Sequence, residues 1–175
     1  MESANIKSNI LFIIFAVSIL IGCDKGITPE PENVTGFSGK VTFTGTWPDS
    51  ITRTHIVLFK DPLLSASDFS ALNLRYVSLE IPYGISEYNF SSLDTAYIPA
   101  AGKLPAGEYS YLAVAMSKST SLSLNRVDWF VAGLYFAVGD TTAPGKLIIP
   151  ENTLVKGINI LCDFDNPPPQ PPGGN

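Results

Sequence analysis

His55, Cys162 and the acidic pair Asp163 and Asp165 are the side chains of this 175-residue sequence best suited to chemistry, and each stands alone. His55 is the single histidine. General-base catalysis by it needs a nucleophile and an orienting carboxylate close by. The chain carries neither Gly-x-Ser-x-Gly nor His-Glu-x-x-His. One histidine also excludes a histidine-rich metal cage. Asp163, Asp165 and Asn166 offer the oxygen atoms calcium prefers, without the glycine-turned loop and further ligands of a dedicated site. A solvated strand end is the expectation there. Cys162 alternates with Ile160 and Phe164, which turns it inward as a small hydrophobe. The polar residues thus assign no catalytic group, no metal and no cofactor.

Aromatic rings are more numerous, and Trp47, Trp129 and Tyr135 are the candidates for ligand contact. A ring that pairs a flat apolar face with a polar edge stacks on sugars or contacts peptides when exposed. In strands, rings more commonly fill the space between sheets. Trp129 follows Asp128 and a polar loop over residues 117–123, so it heads the candidates for an exposed platform.

The elements that must hold these residues are short strands. Residues 37–47 alternate, with Phe37, Gly39, Val41, Phe43, Gly45 and Trp47 on one face and Ser38, Lys40 and three threonines on the other. That is the period-2 pattern of a half-buried strand. Further strands are predicted over residues 52–60, 74–81, 85–90, 109–116, within 127–138, 146–149 and 157–164. Gly, Pro, Asp and Ser punctuate them. Ser67-Asp68-Phe69 reads as a short helical turn ending near Asn73. Seven or eight such strands, with no long 3.6-period segment, predict an all-β protein built as a single antiparallel β-sandwich over residues 34–165. Residues 166–175, which read NPPPQPPGGN, lack backbone donors for a ladder and are expected to form a disordered tail.

The start of the chain is different. Residues 10–21 read ILFIIFAVSILI, twelve residues against the roughly twenty needed to span a bilayer. They fit the apolar core of a secretory signal peptide over residues 1–22. Leu20-Ile21-Gly22-Cys23 directly after that run resembles the lipobox of bacterial lipoproteins. The resemblance implies cleavage between Gly22 and Cys23 and acylation of the Cys23 sulfur, with a bacterial envelope address. Buried acyl chains contribute about 0.8 kcal/mol per methylene, so two or more anchor stably. Residues 23–33, with Pro29, Pro31 and alternating acids, then read as an extended tether. Periplasmic face and outer membrane both remain open.

Ser38-Gly39-Lys40-Val41 and Leu104-Pro105-Ala106-Gly107-Glu108-Tyr109 together resemble the prealbumin-like, carboxypeptidase-regulatory-like β-sandwiches. Those open on Gly-x-Val and carry Leu-Pro-x-Gly-x-Tyr before a late strand. Here residues 91–103 separate the aromatic strand of Tyr88 and Phe90 from that turn. The resemblance implies a fold and brings no catalytic residues with it. Asp49-Ser50-Ile51, Asp94-Thr95-Ala96 and Asp140-Thr141-Thr142 resemble the O-glycosylation acceptor of Bacteroidota.

Apolar residues make up 45% of the chain and charged ones 15%, enough for a sizeable core. Net charge is −5 and no basic cluster occurs, which argues against nucleic acid as a partner. The expectation is a membrane-anchored envelope lipoprotein with a non-enzymatic β domain for binding or structural interaction. Carbohydrate recognition through exposed aromatics is the alternative. An enzyme built on loop carboxylates comes third, because no carboxylate pair is legibly spaced.

Overall fold

Phe37, Val41 and Phe43 point inward along the first alternating segment of the computed structural model, as period-2 patterning requires. The structure describes residues 34–94 and 104–174. Of these, 46% lie in strands, and no helix reaches seven residues. The strands in chain order are β1 (Gly36–Thr44), β2 (Arg53–Phe59), β3 (Leu74–Val77), β4 (Glu87–Ser91), β5 (Gly107–Tyr109), β6 (Tyr111–Ser117), β7 (Trp129–Leu134), β8 (Phe136–Ala137), β9 (Asp140–Pro144), β10 (Leu147–Ile149) and β11 (Leu154–Asp163). Gly22 and Cys23, with the expected leader and tether over residues 1–33, lie outside the described residues. Among the described residues no helix is long and apolar enough to cross a membrane.

Three strands pair in the order β11-β1-β4 and four in the order β3-β2-β6-β7. Strand β7 comes against β11 at Gly133, so the seven strands make one curled layer wrapped around its own core. Two short pairs, β5 with β10 and β8 with β9, flank it. Ile56, Leu58, Leu112, Val114, Met116, Ile160 and Cys162 fill the core. Phe37 meets Tyr76 and Phe90 edge-on there, at 5.2 and 5.9 Å between ring centres.

The expected antiparallel sandwich needs correction. Strand β1 pairs antiparallel with β4 but parallel with β11, with Val41 opposite both Tyr88 and Ile160. Alternation reports which face of a strand is buried and carries no information on direction, so the sequence pattern could not show this. Gly39 makes the parallel pairing possible. A Cβ there would lie 1.7 Å from the Ile158 carbonyl oxygen.

The C-terminal segment also departs from expectation. Far from hanging loose, Gln170 and Pro171 hydrogen-bond to β7 and to Arg126, and Pro171 is buried. Prolines cannot join a ladder, but their carbonyls and the Gln170 amide can still dock.

Candidate functional site

The central strands β2 and β6 are apolar on both faces. Tyr111-Leu112-Ala113-Val114-Ala115-Met116 is buried throughout. Its even-numbered residues enter the main core, and the odd-numbered ones open on the other side of the sheet. There Phe59, Leu63, Leu74, Tyr111, Ala113, Val131 and Leu134 form a second, smaller cluster. The segment between β2 and β3 and the segment between β6 and β7 border that face. The first is held by Asp68, which accepts from the backbone N–H groups of Leu64 and Ser65 at 2.9 and 2.7 Å. Asn73 ties it down as well, accepting from Asp61 N at 2.7 Å. The Ser65 bonds hold the Asp68 carboxyl below the usual carboxylate range.

Between the two segments lies a groove of about 260 Å³. Val57, Val77 and Ala115 line it together with Phe69, Leu124 and Trp129. Leu122 and Leu124 are 64% and 57% exposed, which is unusual for leucines beside a cavity. Ser70 and Ser123 supply its polar atoms. The arrangement can hold an apolar group away from water. Among the described residues no charged side chain stands in its wall, so they supply it with no general acid or base.

His55 stands next to this region, cross-strand from Ala115, with its ring edge-on to Trp129 at 6.1 Å. Its Nδ1 lies 3.0 Å from the Ser78 carbonyl, which fixes Nδ1 as the donor. Its Nε2 is buried and has no partner among the described residues. Burial pushes the His55 pKa down, and the Ser78 bond and the Glu80 charge offset only part of that. Among the described residues no nucleophile or carboxylate hydrogen-bonds to it. The histidine is a neutral strand residue.

The three aromatic candidates do not come together. Trp129 is 8% exposed and its Nε1 donates to the Ser123 carbonyl at 2.8 Å, so it forms a groove wall and not an open platform. Trp47 packs on Phe43, Phe164 and Tyr83 at 4.7, 5.1 and 5.1 Å, and donates to the Ile85 carbonyl at 3.1 Å. Tyr135 packs half-buried against the main core. Cys162 is fully buried, and that burial raises its pKa. Asp163 accepts from Asp165 N and Asn166 Nδ2, both at 3.1 Å, and these bonds lower its pKa. Among the described residues no three His, Cys, Asp or Glu side chains gather as metal ligands. Ser50 and Thr141 are exposed, and Thr95 lies outside the described residues.

Compared with family models, curated proteins and solved structures, the chain matches none of them. Sequence reading missed the groove, although the unbroken apolar run 111–116 was its signal. A strand covered on one face alternates, whereas one covered on both does not.

Proposed function

We propose that this chain is a bacterial envelope lipoprotein, cut before Cys23 and held to the membrane by acyl chains on that sulfur. Its β domain acts by binding and not by catalysis. The groove over β2, β3 and β6 carries the binding half of the reading. At about 260 Å³ it falls just below the ~300–1,000 Å³ of clefts that hold drug-sized ligands. That volume suits one or two apolar side chains of a protein partner. Exposed leucines beside an apolar depression are the usual mark of such a contact, and here Leu122 and Leu124 supply them.

The anchoring half rests on the lipobox-like residues 20–23 after a twelve-residue apolar run. In the Leu104–Tyr109 turn, Tyr109 Oη donates to the Pro105 carbonyl at 2.5 Å. Carbohydrate stacking loses support with Trp129 in the wall.

Two experiments test the two halves separately. Anilinonaphthalene sulfonate should bind the full chain at one site and be displaced by N-acetyl-leucine amide. Ala115→Leu, which grows a side chain into the groove floor, should abolish this while leaving the urea midpoint nearly unchanged. Undiminished probe binding by that variant would overturn the groove reading. For the anchor, palmitate labelling in a bacterial host should mark the wild type and miss Cys23→Ala.

A further inference from the structure

Strand β7 lies at the end of the β3-β2-β6-β7 order, so one side of its backbone faces away from β6. Val131 presents both its N–H and its C=O on that side, and both are taken by one side chain. Val131 N donates to Gln170 Oε1 at 2.7 Å, and Gln170 Nε2 donates to Val131 O at 2.8 Å. A primary amide thus stands where a neighbouring strand would supply a peptide group. Two residues earlier, the Trp129 carbonyl accepts from Arg126 Nη1. The same guanidinium donates through Nη2 to the Pro171 carbonyl at 2.9 Å.

The segment that delivers this amide is unsuited to being a strand itself. Residues 167–169 and 171–172 are all proline, so it can accept but hardly donate along its length. Pro169, Pro171 and Pro172 also line a cleft of about 370 Å³ together with Leu63, Tyr111 and Leu134. The segment's hold is modest. Arg126 is 7% exposed, with no ion-pair partner among the described residues, and its Nε has no acceptor. Burying a cation against two carbonyls and the face of Phe69, with no carboxylate beside it among the described residues, offsets part of what the segment gains by docking.

We propose that residues 167–174 are a displaceable plug on the Trp129–Val131 stretch of the β7 edge, short of Gly133 where β11 takes over, and that this stretch is self-complementary to the same stretch in a second copy of this chain. Edge strands with unpaired peptide groups recruit other strands unless they are blocked. Val131 offers a donor and an acceptor side by side. Two copies related by a two-fold axis therefore place Val131 opposite Val131 and exchange two N–H···O bonds, the hydrogen-bonded pair of an antiparallel ladder. Leu63, Tyr111 and Leu134, which line the cleft with those prolines, add apolar surface to that contact once the segment leaves. The plug keeps the chain monomeric, and its release exposes a dimerisation edge.

Sedimentation equilibrium of the full-length chain in density-matched detergent tests this. The intact chain should be a monomer, and the chain ending after Asn166 a reversible dimer. Gln170→Ala should lie between them. Val131→Pro removes the outward N–H without touching the bonds to β6 and is tolerable on an edge. Added to the shortened chain, it should restore the monomer. In the intact chain, Gln170→Ala should speed amide exchange at Val131 by at least tenfold and leave Val114, in the middle of β6, unchanged. A shortened chain that stays monomeric overturns the proposal, as does a dimer that survives Val131→Pro. Loss of the β circular-dichroism signal on shortening also overturns it, because the segment would then be part of the fold and not a plug. Unchanged exchange at Val131 in Gln170→Ala counts against it independently. None of these results bears on the groove, which the probe experiment reads separately.

Discussion

Gly133 on β7 sits so close to Cys162 on β11 that a Cβ on the glycine would lie 2.5 Å from the Cys162 sulfur. It would also lie 2.8 Å from the Leu161 carbonyl oxygen and 2.9 Å from Ile160 Cγ2. This contact brings the end of the four-stranded order against the three-stranded one and closes the curl. Gly133→Ala therefore forces backbone apart as well as a side chain. We expect it to cost about 1–3 kcal/mol, the usual range for overpacking, read from urea midpoints. Cys162→Ala alone should cost about 1–2 kcal/mol as a small cavity. Because the two groups touch, the double variant should lose less than the sum of the singles. Strict additivity would mean that β7 and β11 do not meet here.

The pH dependence of stability should carry the signature of His55. Burial holds its pKa below the ordinary 6.5. Protonation would add a second donor at Nε2, where no acceptor stands among the described residues. The unfolded chain therefore binds this proton at a higher pH than the folded one. Wherever the unfolded state holds more protons, stability rises with pH. Stability should thus begin to fall as pH drops through about 6.5 and keep falling until the folded-state pKa is passed. In His55→Gln that part of the slope should vanish between pH 7 and pH 5, while the acid limb due to carboxylates stays. Parallel curves for the two proteins would refute the neutral buried histidine.

How much of this was legible beforehand depends on what each signal encodes. The alternation of Phe37, Val41 and Phe43 gave the buried face of β1, and that of Ile158, Ile160 and Cys162 gave the inward face of β11. Neither pattern carries strand direction, which is set by packing at Gly39 and Ile158, more than a hundred residues apart. Trp129 looked like a platform because a polar loop and Asp128 precede it. That loop in fact supplies Ser123, whose carbonyl takes the indole N–H and draws the ring in. The docking of residues 170 and 171 escapes the sequence for a related reason. Proline excludes a ladder, but it does not prevent one glutamine amide from imitating a peptide group.

Trp47 should prove structural. Its ring is sandwiched among Phe43, Phe164 and Tyr83, and its indole N–H is committed to the Ile85 carbonyl. Trp47→Ala should cost about 3 kcal/mol, the low end for removing a large aromatic, since the ring is only partly buried. Trp47→Phe keeps the stack and gives up the hydrogen bond, so about 1 kcal/mol is expected. A carbohydrate-binding role would predict the reverse: small stability changes, with loss of retention on polysaccharide columns. Thermal melts beside affinity electrophoresis decide between the two.

The two cysteines allow the anchor to be read by counting thiols. Cys162 is fully buried, and its pKa stands well above the ordinary thiol value. Reagents attack the thiolate, so this group should be silent in the folded protein. If Cys23 carries a thioether-linked lipid, it is silent in every state. The mature full-length protein should then show about zero reactive thiols when native and about one in denaturant. A bare Cys23 within reach of the reagent would instead give one and two. The native count isolates Cys23 and the increment on unfolding isolates Cys162. An increment of zero would therefore contradict the buried position on β11, while a native count of one would contradict acylation, and neither result could be mistaken for the other.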